Sequence, residues 1–198
     1  SQNVESWFLH SPGIKVVSPA FSDDAYRLLR SAIKDPNPVI YFEHKFLYRR
    51  ERTDLTGADI GDRVVGEANI RRPGKDLTSI SWGWMTHKVL EAAEVMSGEG
   101  IDIEVIDLPV LSPLDLDPIL ESVEKTQHVA ITHEATRTCG FGAELAAQIS
   151  DESIWNLDGP IQRITYPDSP SPFNKGLEAD RIPSVEVICE GWRKALNF

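Results

Sequence analysis

The first fifty residues alternate between helical and extended patterns of hydrophobic positions. Ile14–Val17 and Val39–Glu43 are short apolar runs, which predicts two strands. Apolar residues recur between them at helical spacing, at Ala25, Leu28, Leu29, Ala32 and Ile33. Ser22 is predicted to cap this helix, and the sequence DPNP at Asp35–Pro38 to end it. SQNVESWFLH at the start has the pattern of the middle of a helix, so we expect the chain to be a fragment of a longer protein.

The same alternation continues more regularly after residue 75. The predicted strands are Leu77–Trp82, Ile101–Leu108, His128–Thr132 and Ile161–Thr165. The predicted helices are Met85–Met96, Asp117–Lys125 with Asp117 as its cap, Phe141–Ile149 and Ser184–Leu196. Strands that alternate with helices in this way predict an α/β fold, with a parallel sheet and helices on both faces.

A charged stretch with weak periodicity separates these two regions. Residues 49–75 carry several glycines and the runs RRER and IRRPGK, which we interpret as solvated loop charge. A short strand is predicted within the stretch, at VVGEANI. We therefore predict a first domain at residues 1–48, a linker at 49–75 and a second domain at 76–198.

Composition and charge exclude several classes of partner. The chain has 20 Lys and Arg residues against 31 Asp and Glu residues, a formal net charge of −11, which disfavours binding to nucleic acid. No apolar run approaches the length needed to span a membrane. The two cysteines, Cys139 and Cys189, make neither a disulfide framework nor a zinc site, which favours reduced thiols inside a cell.

Four local motifs have two interpretations each. The turn CGFG at Cys139–Gly142 follows a predicted strand, but it has only two glycines and no following Lys-Ser or Lys-Thr, so packing is favoured over phosphate binding. His133–Glu134 ends the same strand, and we favour a hydrogen-bonded pair over a catalytic one. Trp82 and Trp84 are predicted to pack at a domain interface rather than against a ligand. His10 alone indicates only a histidine at a helix end.

Five longer stretches, in this order, carry a resemblance to a known family. The chain resembles the β subunit of the thiamine-diphosphate-dependent 2-oxoacid dehydrogenases, the first components of the pyruvate, branched-chain 2-oxoacid and acetoin complexes. The resemblance implies that residues 1–48 are the closing part of a pyrimidine-binding domain, followed by a transketolase C-terminal-type domain. The stretches are SQNVESWFLHSPGIKVVSP, LLRSAIKDPNPVIYFEHKFLYR, GEGIDIEVIDLPVLSPLD, SVEKTQHVAITHEATRTCGFGAELAA and LDGPIQRITYPDSPSPF.

This resemblance implies oxidative decarboxylation of a 2-oxo acid and transfer of the acyl group to lipoyl-lysine. The implied assembly is a heterotetramer of α and β subunits that docks on the dihydrolipoyl acyltransferase core, in the bacterial or archaeal cytoplasm or the mitochondrial matrix. In the family the α subunit holds the diphosphate and Mg²⁺, and the glutamate that protonates the aminopyrimidine precedes the region present here. We therefore expect this chain to be inactive alone. The run YFEHKFLYR slightly favours branched-chain substrates.

The resemblance also implies one catalytic residue. His10, in FLHSPG, matches the active-site histidine of the family, which is proposed to assist proton transfer or acylation of the lipoyl group. An imidazole suits that role because its charge changes near neutral pH. Pro109 stands where the family usually has arginine, and Glu67 where it usually has lysine, so local contacts there are expected to differ.

Two further sets of positions match family sites. Ala32, Asp35 and Asn37 match a loop that in some members holds a structural potassium ion, and carbonyl oxygens at a helix C-terminus suit that ion. Asp158 and Phe198 match positions that in some members meet the subunit-binding domain of the acyltransferase, through the negative charge of Asp158 and of the chain end.

Two other functions remain open on the sequence. A related transketolase or deoxyxylulose-phosphate-type synthase would share the fold but have no lipoyl partner. Alternatively, the chain is an assembly and docking module only, whose function is dimerisation and binding to the acyltransferase core. A basic site for an acceptor phosphate would favour the synthase, and none is visible in this acidic sequence.

Overall fold

A computed structural model describes residues 3–50, 52–54, 56, 61–63 and 65–197. Its helices are α1 (Glu5–Leu9), α2 (Ser22–Lys34), α3 (Trp84–Gly98), α4 (Asp117–Thr126), α5 (Phe141–Ser153), α6 (Lys175–Ala179) and α7 (Val185–Leu196). Its strands are β1 (Lys15–Val17), β2 (Val39–Tyr41), β3 (Asn69–Arg72), β4 (Leu77–Ser81), β5 (Ile103–Asp107), β6 (Val110–Ser112), β7 (Val129–Thr136) and β8 (Gln162–Tyr166). None of the helices described is long and apolar enough to cross a membrane.

The larger sheet has five strands in the order β3-β5-β4-β7-β8. β5, β4, β7 and β8 are parallel, as predicted, but β3 pairs antiparallel with β5, so the sheet is mixed. The reason is the connection: only residues 73–76 separate β3 from β4, and a parallel crossover needs a much longer segment. β3 lies in the stretch predicted as a linker and begins later than the strand predicted at VVGEANI.

A second sheet joins the beginning of the chain to its later part. It has three strands in the order β2-β1-β6, with β1 parallel to β2 and antiparallel to β6. The amide of Ser18 extends this pairing by donating to the carbonyl of Pro109, at 2.8 Å. The sequence pattern did not predict β6, because its three residues are too few to show a period.

Helices cover both faces of the five-stranded sheet, which confirms the predicted α/β class. On one face α4 and α5 pack against the sheet, with Phe8 and Leu9 of α1 at the margin. On the other face α3 and α7 pack together over the strands, around the fully buried Trp192. The helix stripes seen in the sequence are the residues buried here, including Val89, Ala92, Ala93 and Met96 of α3.

Two predicted helix caps are wrong. Phe21 precedes α2 in the capping position and makes no side-chain cap, and the Ser22 hydroxyl donates to Oγ1 of Thr53 at 2.8 Å. Leu116 precedes α4, and Asp117 is already its first helical residue, so it makes no capping hydrogen bond. In both cases the polar side chain stands one position too late to accept from the first turn.

Candidate functional site

The crevice at the carboxyl ends of β4 and β7 is the natural place for a site in this sheet. The helix after β4, α3, lies on one face, whereas the helix after β7, α5, lies on the other. The chain therefore leaves these neighbouring strands in opposite directions. Open α/β sheets bind their ligands at such a switch point, outside the carboxyl ends of the strands.

Five polar and aromatic residues fill this crevice, and they come from both parts of the chain. Trp82 follows β4, and His133 and Glu134 belong to β7. Glu5 of α1 and His44, after β2, enter from the first fifty residues. We call Glu5, His44, Trp82, His133 and Glu134 the switch-point cluster. The structure thus brings the first segment of the chain onto the site where the sheet alone would present an open crevice.

Glu5 is the most perturbed acid of the cluster. Its side chain is buried, at 3% exposure, and burial raises its pKa from 4.5 to about 7. The nearby Glu134 carboxylate raises the pKa further, while a backbone hydrogen bond, the Trp82 indole and His44 oppose the shift. No hydrogen-bond partner of Oε2 is found among the described residues. Glu5 therefore holds a proton over a range in which an exposed glutamate is ionised.

Glu134 and His44 meet across the crevice. Nε2 of His44 lies 2.9 Å from Oε2 of Glu134, at an angle that does not make a hydrogen bond. Trp84 and Phe46 pack beside this pair, with ring centroids 4.3 Å apart, and the His44 ring lies 5.7 Å from Trp84. The predicted interface role of the two tryptophans is confirmed, because both pack at the junction of the two regions.

His133 is buried beneath the first turn of α5. Its ring stacks on Trp82, with centroids 5.1 Å apart and planes at 19°, and its exposure is 1%. Burial lowers the pKa of His133 to about 4, so the imidazole is neutral. The predicted hydrogen-bonded pair with Glu134 is wrong, since neither ring nitrogen has a partner in the described part of the chain.

The glycines of the CGFG turn make room for this ring. A Cβ on Gly142 would lie 2.6 Å from Nε2 of His133, and one on Gly140 would meet the same ring and the carbonyl of Thr136. Any larger residue would displace the histidine from Trp82. The geometry therefore supports packing, rather than phosphate binding, as the reason for the two glycines.

His10 lies outside the cluster but on the helix that carries Glu5. It follows the last residue of α1, and its amide donates to the carbonyl of Ser6 at 3.3 Å. His10 is exposed, as are the three residues after it. The His10 side chain is therefore accessible to a substrate, while its backbone position depends on how α1 packs in the crevice.

The three residues predicted to bind potassium lie together at the C-terminal end of α2, with Ala32 in its last turn and Asp35 and Asn37 after it. Oδ1 of Asp35 accepts from the backbone and side-chain nitrogens of Asn37, at 2.9 and 3.0 Å, and the Asp35 amide donates to Ala32 at 3.3 Å. The ammonium group of Lys15 pairs with the Asp35 carboxylate and, with the Asn37 contacts, lowers the pKa of Asp35. A lysine thus already supplies positive charge at this loop, and potassium binding stays a prediction.

The predicted docking position Asp158 is far from the cluster. Asp158 is exposed in the turn before β8, and its amide donates to the carbonyl of Gln127 at 3.0 Å. Asp158 therefore lies at the edge of the sheet where the parallel strands begin, opposite to the switch-point cluster. The helix α7 also ends at this edge. Trp155, 96% exposed, precedes Asp158. Phe198, the other predicted docking residue, lies outside the described residues.

A second buried polar group, which sequence reasoning missed, lies between α2 and the sheet. Arg63 and Arg71 both pair with the Asp24 carboxylate, and Arg71 also pairs with Asp107, Nη2 to Oδ2 at 2.9 Å. Asn69 bridges Arg63 and Asp24. We call Asp24, Arg63, Asn69, Arg71 and Asp107 the ion network.

The interpretation of IRRPGK as solvated charge is therefore wrong for Arg71, whose side chain is 21% exposed. Burial raises the pKa of Asp107, and the Arg71 guanidinium opposes that shift. The available signal was the alternation along β3, which places Arg71 on the side of the strand facing α2.

Residues 66–188 match the family described as "Transketolase, C-terminal domain", and residues 1–51 match "Transketolase, pyrimidine binding domain". The chain is 41% identical over its whole length to the β subunit of acetoin:2,6-dichlorophenolindophenol oxidoreductase from Cupriavidus necator, covering 58% of that protein. It is 38% identical to "Pyruvate dehydrogenase E1 component subunit beta" from Bacillus subtilis, again over its whole length and 60% of that protein.

A solved structure described as "Split gene transketolase, inactive beta4 tetramer" superimposes with a TM-score of 0.81 at 25% identity, covering 98% of this chain and 60% of that one. The chain spans about 60% of the length of the curated relatives it matches. The model of the transketolase C-terminal domain family matches residues 66–188, which is more than half of the sequence, so the chain belongs to that family.

Proposed function

We propose that this chain is part of the β subunit of a thiamine-diphosphate-dependent dehydrogenase that decarboxylates a 2-oxo acid oxidatively and passes the acyl group to lipoyl-lysine. The observation that carries the proposal is that β subunits of acetoin and pyruvate enzymes are similar to this chain over its whole length. A branched-chain 2-oxo acid, slightly favoured by YFEHKFLYR, remains a proposed substrate beside pyruvate and acetoin.

His10 is the residue of this chain that we place in the reaction. It is exposed at the end of α1, so it can reach a group bound outside the chain. Its proposed role is to move a proton during acylation of the lipoyl group, which arrives on the acyltransferase. General acid–base catalysis of this kind contributes about 10²- to 10⁴-fold to a rate.

The cofactor would be shared with a second subunit. When bound, thiamine diphosphate supplies the carbanion that attacks the 2-oxo carbon. In the described ranges, no group of three or more His, Cys, Asp and Glu side chains could hold a metal ion. We place the diphosphate and Mg²⁺ on the α subunit, as the resemblance to the family implies.

Potassium at the loop of Ala32, Asp35 and Asn37 is a separate proposal. Three polar groups converge there, and the Ala32 carbonyl lies at the C-terminal end of α2, where the helix dipole favours cations. Lys15 competes for the same carboxylate. A specific site would raise the melting temperature in potassium chloride more than in sodium or lithium chloride at equal ionic strength, whereas an equal response to the three salts would reject it.

The proposed assembly contains α subunits, a second β subunit and the acyltransferase core, in the bacterial or archaeal cytoplasm or the mitochondrial matrix. Residues 1–48 would belong to a pyrimidine-binding domain and residues 76–198 would form the second domain. Residues 49–75 would connect the two and add the strand β3 to the sheet of the second domain. Asp158 and Phe198 would meet the subunit-binding domain of the acyltransferase. The exposed carboxylate of Asp158 suits a basic surface on that partner.

The decisive experiment reconstitutes the full-length subunit with its α partner and thiamine diphosphate. Turnover is measured with pyruvate, acetoin and a branched-chain 2-oxo acid, once with an artificial electron acceptor and once with the lipoyl domain. The product followed is carbon dioxide for the two oxo acids and acetaldehyde for acetoin, which has no carboxyl group. His10→Ala should lower lipoyl acylation about 10²-fold or more and leave cofactor affinity within about twofold. Unchanged lipoyl acylation would remove His10 from the mechanism, and lack of turnover of all three substrates by the wild type would reject the proposed function.

The second candidate is a transketolase-type enzyme without a lipoyl partner. The observation that favours it is the close structural match to the split-gene transketolase chain. Transfer of a two-carbon unit between sugar phosphates, together with no binding to the acyltransferase, would establish this alternative. A third candidate is an assembly and docking module; saturable binding to the subunit-binding domain without turnover in any reconstituted assembly would support it.

A further inference from the structure

The short helix α1 depends on its anchors for its position. It has five residues, Glu5–Leu9, and an isolated helix of that length is not stable in water. Phe8 supplies one anchor, by an edge-to-face contact with Phe42 at 5.7 Å. Leu9 packs against the same core margin as Phe8. Glu5 supplies the polar anchor and is the only buried residue of the helix, whereas Trp7 is 73% exposed.

The surroundings of Glu5 suit a neutral carboxyl group and disfavour a charged one. Its side chain lies in the switch-point crevice beside the Glu134 carboxylate of β7 and the Trp82 indole after β4, with His44 behind Glu134. Neither Oε2 of Glu5 nor Nε1 of Trp82 has a hydrogen-bond partner in the ranges that the structure describes. An ionised Glu5 would place a second negative charge next to Glu134 without a cation of its own.

The other elements packed on α1 bring no compensating charge. β1 contributes Lys15, whose ammonium group is paired with Asp35. α5 contributes Glu144, which is exposed and accepts a hydrogen bond from Gln148 at 2.7 Å. The state of α1 in the crevice is therefore set by the proton on Glu5.

We propose that protonated Glu5 fastens α1 into the switch-point crevice and thereby positions His10, which makes Glu5 a positioning residue for the reaction proposed above. Glu5 is the first residue of α1 and His10 caps its C-terminal end, so release of the helix moves both. This inference rests on the proposed function for the role of His10, but the fastening of α1 can be measured without any reaction.

The direction of the pH dependence follows from the two states of α1. Glu5 has a pKa of about 7 when α1 is docked and 4.5 when it is released into water. The docked state therefore binds more protons between these values, and docking weakens as pH rises through that window. The released population should increase by about tenfold per pH unit between pH 5 and 7 and level off above pH 7.

Hydrogen exchange on the intact, assembled protein tests this directly. The measured quantity is the protection factor of the amides in residues 3–13, corrected for the intrinsic effect of pH, between pH 5 and 8. In the wild type it should fall by about tenfold per unit up to pH 7. In Glu5→Gln it should be high and independent of pH, because a glutamine side chain has nearly the shape of the protonated glutamate and stays neutral at every pH. In Glu5→Ala it should be low at every pH.

The reference segment is α7, whose protection should not change with pH in any variant. Wild-type protection of residues 3–13 that is constant from pH 5 to 8, or a Glu5→Gln variant as unprotected as Glu5→Ala, would overturn the proposal. The pH profile of lipoyl acylation is the second readout, since Glu5→Gln should flatten the decline between pH 5 and 7. Pronounced exchange effects with no effect on acylation would confirm the fastening but remove its link to His10.

Discussion

Two buried polar groups join the first fifty residues to the five-stranded sheet, and they are built in opposite ways. In the ion network both carboxylates, Asp24 and Asp107, are paired with arginine. In the switch-point cluster Glu5, Trp82 and His133 carry polar atoms without a partner in the described part of the chain. Leaving a buried polar group unpaired costs about 1–3 kcal/mol, so the second arrangement persists only if something offsets it.

This difference indicates a structural role for the ion network and a functional role for the switch-point cluster. A paired network holds its elements in one arrangement over a wide pH range, because its charges satisfy one another. An unpaired cluster at a switch point can take or release a proton, and its geometry changes when it does. Unsatisfied groups of this kind concentrate where a protein uses them, so the cluster is the better candidate for function.

Breaking the ion network should have the largest effect on stability. Arg71→Ala removes the cation shared by Asp24 and Asp107 and leaves Asp107 buried without its charge partner. Removing one partner of a buried ion pair costs about 3–5 kcal/mol in the free energy of unfolding, which urea denaturation would measure.

The matched control is Arg49→Ala, because Arg49 is an exposed arginine of the neighbouring segment. Its effect should remain within about 0.5 kcal/mol. If Arg71→Ala were as mild as this control, the ion network would not hold the two regions together.

The switch-point cluster should respond to pH where the ion network does not. The Glu5 pKa is about 7 in the folded protein and 4.5 in the unfolded chain, so the folded state binds the extra proton between these values. The contribution of Glu5 to stability, measured as the difference between the wild type and Glu5→Gln, should therefore decline as pH rises from 4.5 to 7, by about 3 kcal/mol in total, and stay level above pH 7. Glu5→Gln cannot ionise and should be more stable than the wild type by that amount at pH 8.

Glu144→Gln provides the comparison, because Glu144 is an exposed carboxylate of α5. Its difference from the wild type should stay within about 0.5 kcal/mol at pH 5 and at pH 8. Parallel stability curves for wild type and Glu5→Gln would show that Glu5 is ionised in the fold and would contradict the distinction drawn between the two groups.

The contrast also explains which features could be predicted from the sequence. The strands and long helices were visible because periodic burial leaves a periodic pattern, as in the α3 stripe from Met85 to Met96. β6 and α6 were not predicted, because three and five residues give no period. The proposed role of His10 rests on the resemblance and not on the local sequence pattern.

The switch-point cluster could not be assembled from local sequence. Glu5 and Glu134 are separated by most of the chain, and each alone has an ordinary sequence context. Arg71 was interpreted as solvated because β3 lies in a charged stretch, and only the pairing of β3 with β5 brings it to Asp107. Long-range strand pairing, which carries no local signal, therefore decides both groups.

A smaller effect should follow from disturbing the packing under the cluster. Gly142→Ala would place a methyl group 2.6 Å from Nε2 of His133 and displace the ring from Trp82. Overpacking of this kind costs about 1–3 kcal/mol. Gly98→Ala is the control, since a Cβ there meets nothing within 4 Å and alanine should stabilise helix α3 by about 0.5–1 kcal/mol. Equal signs for the two substitutions in urea denaturation would refute the packing explanation of CGFG.

The smallest expected effect tests how the ion network shares its charges. Asn69 is its neutral member, and its amide donates to Asp24 at 3.0 Å while its oxygen accepts from Arg63 at 2.6 Å. Asn69→Ala removes these two bonds but leaves both arginines against Asp24, so it should cost about 1–2 kcal/mol. In the double variant with Arg71→Ala, Asp24 is left with Arg63 alone. The loss in the free energy of unfolding should therefore differ from the sum of the two single losses by about 0.5 kcal/mol or more, as is usual for residues of one hydrogen-bond network. If the losses in the free energy of unfolding simply add in this double-mutant cycle, the ion pairs act separately and do not form a network.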